Sequence, residues 1–161
     1  MALTFIPLFS GSSGNATLVC SDRTRILIDA GVSGKRLEEA LYGVGEDIRD
    51  VRGILITHEH NDHISGAGIL SRKHGIPVFA TDLTWQAANG KLGNVHPRHM
   101  RVIEKREFYI DDLLIEPFEI PHDAADPVGY CVSCGSRKAA VATDLGWFPQ
   151  KVELKLHACD L

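Results

Sequence analysis

The sequence predicts a mixed α/β (α+β) fold in one domain, and three observations carry that prediction. Short apolar runs rich in Ile, Leu, Val and Phe recur between Gly, Ser and Asp turn signals, as strands do. Other stretches, residues 33–44 above all, repeat their apolar side chains at helical spacing. The 161 residues are 44% hydrophobic, enough to bury a core of their own, and no run is long enough to span a bilayer.

Residues 3–9, 16–20 and 25–29 read as strands that open a mostly antiparallel sheet. The loop Ser10–Asn15 between the first two is rich in backbone donors but lacks the Lys-Ser/Thr of a P-loop. It reads either as a phosphate-approaching loop, with Ser12 and Asn15 as substrate contacts, or as a plain hairpin loop. Asp29 ends an apolar run, where a buried carboxylate needs partners; a solvated turn is the alternative. Residues 33–44 place Leu37, Leu41 and Val44 on one helical face, with Gly43 and Gly45 near the stop.

The strand Gly53-Ile54-Leu55-Ile56 then delivers Thr57-His58-Glu59-His60-Asn61-Asp62-His63. In extended chain His58 and His60 point the same way. Asp62 is expected to cap a helix over residues 64–73, which sets Asp62 and His63 facing that pair. His58, His60, Asp62 and His63 fall within six positions, a density that reads as a metal cradle rather than a solvated loop. Neutral imidazoles and ionised carboxylates suit zinc, manganese or iron, and two adjacent metals become possible.

Gly66, Ala67 and Gly68 allow the following helix to pack closely, and His74 at its Lys-His-Gly end reads as structural. A strand over 77–81 and a short helix over 84–92 come next. Residues 91–106 hold Lys91, Arg98, Arg101, Lys105 and Arg106 against Glu104. That segment is a solvated loop or, more sharply, a groove for a polyanionic backbone with Arg98 and Arg101 as contacts. Residues 107–120 form two strands ending at Pro121-His122-Asp123. Residues 129–134 and 138–143 form a hairpin about Gly135-Ser136 that ends at Asp144. A closing helix over 149–159 sets Val152, Leu156 and Cys159 on one face. The lone Cys131-Val132-Ser133-Cys134 lies in a strand-like stretch, so packing cysteines are expected there rather than a zinc knuckle.

His58-x-His60-x-Asp62-His63 resembles the metal motif of the metallo-β-lactamase fold superfamily. Within it the chain resembles the YycJ/WalJ group, through Ser10-Gly11-Ser12-Ser13-Gly14-Asn15, the histidine cluster, the segment His122 to Tyr130, and Ala142-Thr143-Asp144-Leu145-Gly146. The resemblance spans nearly the whole chain. It implies an αβ/βα sandwich with two divalent metal ions at one rim, zinc or manganese, with iron possible. It implies His58, His60 and His122 on one metal, Asp62 and His63 on the other, and Asp144 bridging. Asp62 and Asp144 become the catalytic carboxylates, and Asp29 supports the metal loop from behind the ligands.

The resemblance further implies a 5′→3′ exodeoxyribonuclease with DNA as its partner. Cyclic phosphodiesterases and glyoxalase-like thioesterases share the superfamily, so a small-molecule hydrolase and a non-catalytic fragment stay open. In such proteins another metal-binding His follows the Asp144 motif at some distance, and His157 comes too soon to be it. Residues 1–161 are therefore expected to be the N-terminal portion of a longer domain. The net charge of −4 argues against a basic nucleic-acid binder overall but leaves a local patch open. A first stretch without a basic region, and four cysteines with no export signal, point to the cytoplasm and away from a membrane. Oligomeric state is left open.

Overall fold

Side chains alternate between two faces along each short extended run, and that alternation sorts the apolar residues into separate cores. The computed structural model, which describes residues 2–161, pairs the runs into two sheets. The first holds β1 (Thr4–Phe9), β2 (Ala16–Cys20), β3 (Arg25–Ile28), β4 (Val51–Leu55), β5 (Val78–Thr81) and β6 (Met100–Ile103), side by side in chain order. The second holds β7 (Phe108–Ile110), β8 (Leu113–Glu119), β9 (Val128–Cys134) and β10 (Arg137–Val141), again with chain neighbours paired.

The first three strands pair antiparallel as expected, and the second sheet is antiparallel throughout. From β3 to β6 the pairing is parallel. Parallel neighbours need crossover connections, which here contain α1 (Gly34–Gly43), α3 (Ala67–His74) and α4 (Asp82–Ala87). Leu18, Leu27 and Ile54 face those helices and meet Leu37, Leu41, Leu70 and Trp85. Val19, Ile26, Ile28 and Leu55 face the other way, onto Ile115, Tyr130 and Val132 of the second sheet. The outer side of that sheet presents Phe118, Ile120 and Cys131 to Val152 of α5 (Gln150–Leu156). Helix, sheet, sheet and helix thus stack as an αβ/βα sandwich.

Cys131 and Cys134 sit three positions apart on β9, hence on opposite faces: Cys131 meets α5 and Cys134 the core between the sheets. Each packs on its own side of the strand, so the two thiols do not face one another. His74 bonds Glu38 at 2.7 Å, joining α3 to α1 as a structural residue. No helix among the described residues is long and apolar enough to cross a membrane.

Two expectations are corrected. The helix expected over 64–73 with Asp62 as its cap is two helices. Asp62 lies in the first turn of α2 (Asn61–Ile64), whose N-cap is His60, and α3 starts only after Gly66. The break arises because Gly66 is drawn against the loop that follows β3. Its N–H donates to the Ala30 carbonyl at 2.8 Å, and a Cβ there would lie 2.2 Å from the Val32 carbonyl oxygen. Residues 91–106 are likewise not all loop, because Met100–Ile103 is the edge strand β6, entered through a short 3-10 turn at Pro97–His99. Burial of Ile103 in the core between the sheets holds that strand despite its charged neighbours.

Tyr130 is fully buried, and its hydroxyl donates to the Ile56 carbonyl at 2.6 Å, pinning the end of β4 just ahead of Thr57 and His58. Tyr130→Phe is expected to cost about 1–3 kcal/mol, because a buried carbonyl loses its partner. Urea denaturation checks this, and an unchanged midpoint contradicts it.

Candidate metal centre

Because β3 and β4 are parallel neighbours, with Ile28 opposite Leu55, the residues that leave their C-terminal ends share one rim. Asp29 turns off β3 with φ 61° and donates its N–H to the Leu55 carbonyl at 2.8 Å. Its buried carboxylate accepts from the Thr57 N–H at 2.8 Å, the Thr57 hydroxyl at 2.7 Å and His63 Nδ1–H at 2.7 Å. Burial pushes the Asp29 carboxyl up, while these donors pull it down; the net direction is up. Burial pulls His63 down, but the Asp29 hydrogen bond and the charges of Asp29, Asp144 and Asp62 raise it overall.

These contacts also set ring orientations. The Thr57 hydroxyl has given its hydrogen to Asp29, so at 2.9 Å from His58 Nδ1 it accepts, and His58 carries its proton on Nδ1. The opposite nitrogen, His58 Nε2, is buried with no hydrogen-bond partner among the described residues. Burial, then the neighbouring His63, His122 and His60, push the His58 pKa down to about 3, so that nitrogen offers a lone pair instead of a proton.

The rings of His60, His63 and His122 surround His58 at centroid distances of 4.5, 4.1 and 4.5 Å. His63 Nε2 lies 2.9 Å from Asp144 Oδ2; with its Nδ1–H committed to Asp29, a proton or a cation must separate the two. Two sets of ligand atoms fall within 4.8 Å of one another: His58, His60 and His122, and His58, His63 and Asp144. An orphaned buried imidazole nitrogen amid further imidazoles and a carboxylate is a donor set that fits a divalent transition metal.

The sequence-expected ligands therefore meet at one rim, but the grouping differs: Asp144, expected to bridge, falls with His58 and His63 and not with His60 and His122. Asp62 approaches His63 Nε2 at 3.5 Å, but the geometry draws His58 into the second set and leaves Asp62 beside it. Asn15 supports the loop from the inside: its N–H donates to the Asp62 carbonyl at 2.8 Å, and its side-chain amide reaches Asp62 Oδ2 at 3.3 Å. Ser12 lies exposed in the loop beyond it. Arg98 and Arg101 are not brought to this rim. β6 runs parallel to β5, so Arg98 precedes it at the opposite end of the sheet, and Arg101 pairs with Phe79 along the edge.

Four residues without an assigned role in the sequence reading contribute here. Thr57 links Asp29 to His58, and Glu59 Oε1 accepts the Ala125 N–H at 2.9 Å, tying down the loop that carries His122. Lys91 donates to the Glu59 carbonyl at 3.2 Å, and Lys105 pairs with Asp126 and Glu119. Thr57 and Glu59 flank His58 in sequence, which is the only signal that marked them; the lysines were marked only as members of the basic run 91–106.

Fold and site define a class: an αβ/βα sandwich with clustered metal-ligand side chains at one rim of its sheets. The chain belongs to the metallo-beta-lactamase superfamily, whose family model matches residues 10–158. It is 40% identical over 157 residues to exodeoxyribonuclease YycJ of Bacillus anthracis, covering 95% of this chain and 58% of that protein. Exodeoxyribonuclease WalJ of Streptococcus pneumoniae is 37% identical over 148 residues, 90% of this chain and 55% of that one. The chain thus spans little more than half the length of these curated relatives. A metallo-beta-lactamase from Cronobacter sakazakii shares the fold at TM-score 0.69 and 16% identity, over 87% of this chain and 60% of its own.

Proposed function

We propose that this chain carries the metal centre of a divalent-metal-dependent phosphodiesterase acting on DNA, with 5′→3′ exodeoxyribonuclease activity. The observation that carries the reading is the pair of ligand sets joined through His58, whose Nε2 is buried and unpartnered. Similarity to proteins named exodeoxyribonuclease YycJ and WalJ supports the substrate class.

In this reading His58, His60 and His122 would hold one zinc or manganese ion, and His63, Asp144 and the adjacent Asp62 would hold the second. Bound there, two divalent cations would supply an activated water and neutralise charge developing on the scissile phosphate. The chain's own part is preorganisation. Asp29 fixes the tautomer and aim of His63, Thr57 those of His58, and Glu59 the loop of His122. Asp62, about one-third exposed, faces the rim where a leaving group would need a proton.

A small-molecule hydrolase is the second reading. The observation favouring it is that Arg98 and Arg101 lie off the rim, while the cations near it, Lys91 and Lys105, are already engaged. The test is 5′-labelled duplex DNA beside cyclic dinucleotide and thioester substrates, in manganese and in zinc. Stepwise loss of 5′ nucleotides is the expected result; turnover of the small substrates alone would sink the nuclease reading. In the same assay, Arg98→Ala combined with Arg101→Ala is expected to leave kcat/KM on a short oligonucleotide unchanged. A clear fall would return those arginines to the substrate path.

A further inference from the structure

We propose that the cleft beside Trp147 is a base-stacking subsite for a single polynucleotide strand, a proposal that rests on the nuclease reading above. Two residues past Asp144 the Gly146 N–H donates to the Pro121 carbonyl at 2.8 Å, joining the segment after one candidate ligand to the residue just before another, His122. Immediately beyond that tie, Trp147 is 65% exposed and Phe148 55% exposed. Two large aromatic rings in water within four residues of a candidate metal ligand call for a function, since an indole contributes most when an apolar face covers it.

Trp147, Ile120, Pro121, Lys151, Gln150 and Glu119 are among the residues that line a cleft of about 550 Å³. A flat heterocycle suits that lining. The indole offers a stacking face, Ile120 and Pro121 an apolar floor, Gln150 and Glu119 hydrogen-bonding groups for a base edge, and Lys151 a charge for the adjoining phosphate. A base within a duplex is already stacked on its neighbours, so the subsite favours an unpaired or frayed end. A strand held there would pass the rim where His122 and Asp144 lie.

The experiment titrates the protein with a single-stranded oligothymidylate in EDTA, so that no strand is cut, while following tryptophan emission. The other tryptophan, Trp85, is buried with its Nε1–H donated to the Arg101 carbonyl at 3.1 Å, so the response reports Trp147. The expected result is quenching of a solvent-exposed indole. Trp147→Ala is expected to abolish the quenching and raise the oligonucleotide Kd by about 5- to 100-fold, with Trp147→Phe retaining most of the affinity.

An emission spectrum already that of a buried indole would overturn the proposal, because another part of the protein or a partner would then cover the face. Wild-type affinity in Trp147→Ala would overturn it as well. If wild-type protein with metal cleaves DNA and Trp147→Ala leaves KM untouched, the subsite falls and the nuclease reading stands. If no polynucleotide is cleaved yet Trp147 still responds, the nuclease reading falls and the subsite stands.

Discussion

Replacing His58 with alanine is expected to empty the half of the centre that His58 shares with His60 and His122. With its Nδ1–H held towards Thr57, His58 has one lone pair, on Nε2, and so serves one ion although it lies within reach of both ligand sets. Metal content should fall by about one ion in His58→Ala, as in His60→Ala. Hydrolysis should fall by about a thousand-fold or more, since metal catalysis supplies several kcal/mol of the barrier reduction. The fold should survive. In metal-free wild-type protein His58 is a neutral buried imidazole packed against three other rings at the sheet rim, so its removal costs local packing and leaves the two cores between the layers intact.

That crowding gives the substitution a pH signature. The folded-state pKa of His58 is pushed from 6.5 to about 3, so between those values the unfolded chain takes up a proton that the folded chain refuses. The contribution is therefore present above about 6.5 and is lost as pH falls towards 3. Urea denaturation in EDTA should show wild-type stability declining over that window more steeply than His58→Ala, by one proton's worth of slope. Parallel pH profiles would show that His58 is not held neutral by its surroundings.

Gly31→Ala is the second substitution expected to act strongly, and it replaces no candidate ligand. A Cβ at Gly31 would lie 1.6 Å from the Asp62 carbonyl oxygen, 2.3 Å from its carbon and 2.7 Å from the Asn15 nitrogen. All three are backbone atoms and cannot rotate away. They are held by hydrogen bonds from Asn15 to Asp62, Gly31 to Asn15 and Ala30 to His63, each 2.8 Å long. The loop after β3 and the start of α2 must separate, carrying Asp62 and His63 with them. The expected cost is about 3 kcal/mol or more in stability, at the upper end for overpacking, with a metal affinity lowered at least about tenfold. Urea denaturation and metal titration check the two parts; near-wild-type values in both would mean the loop has slack that its hydrogen bonds do not suggest.

Much of this arrangement was legible because its signals are local. Short apolar runs between turn signals located the strands other than β6 near their observed bounds, and the glycines at the end of α1 marked its stop. The ligand density of 58–63 marked the centre before any fold was considered. His122 and Asp144, single residues at strand ends, were legible only through the family resemblance, since neither has a local pattern. What was not legible depends on tertiary contacts. The break at Gly66 comes from a carbonyl of a distant loop, and β6 is held by burial of Ile103 beneath a charged surface. Arg98 and Arg101 looked like substrate contacts because sequence reports charge but not which end of a parallel strand faces the site.

The most direct test of the account is the metal content of the chain after exposure to manganese or zinc and removal of excess, with His58→Ala beside it. The account predicts about two ions per wild-type chain and about one in His58→Ala. A wild-type chain that retains no metal under either condition would contradict it.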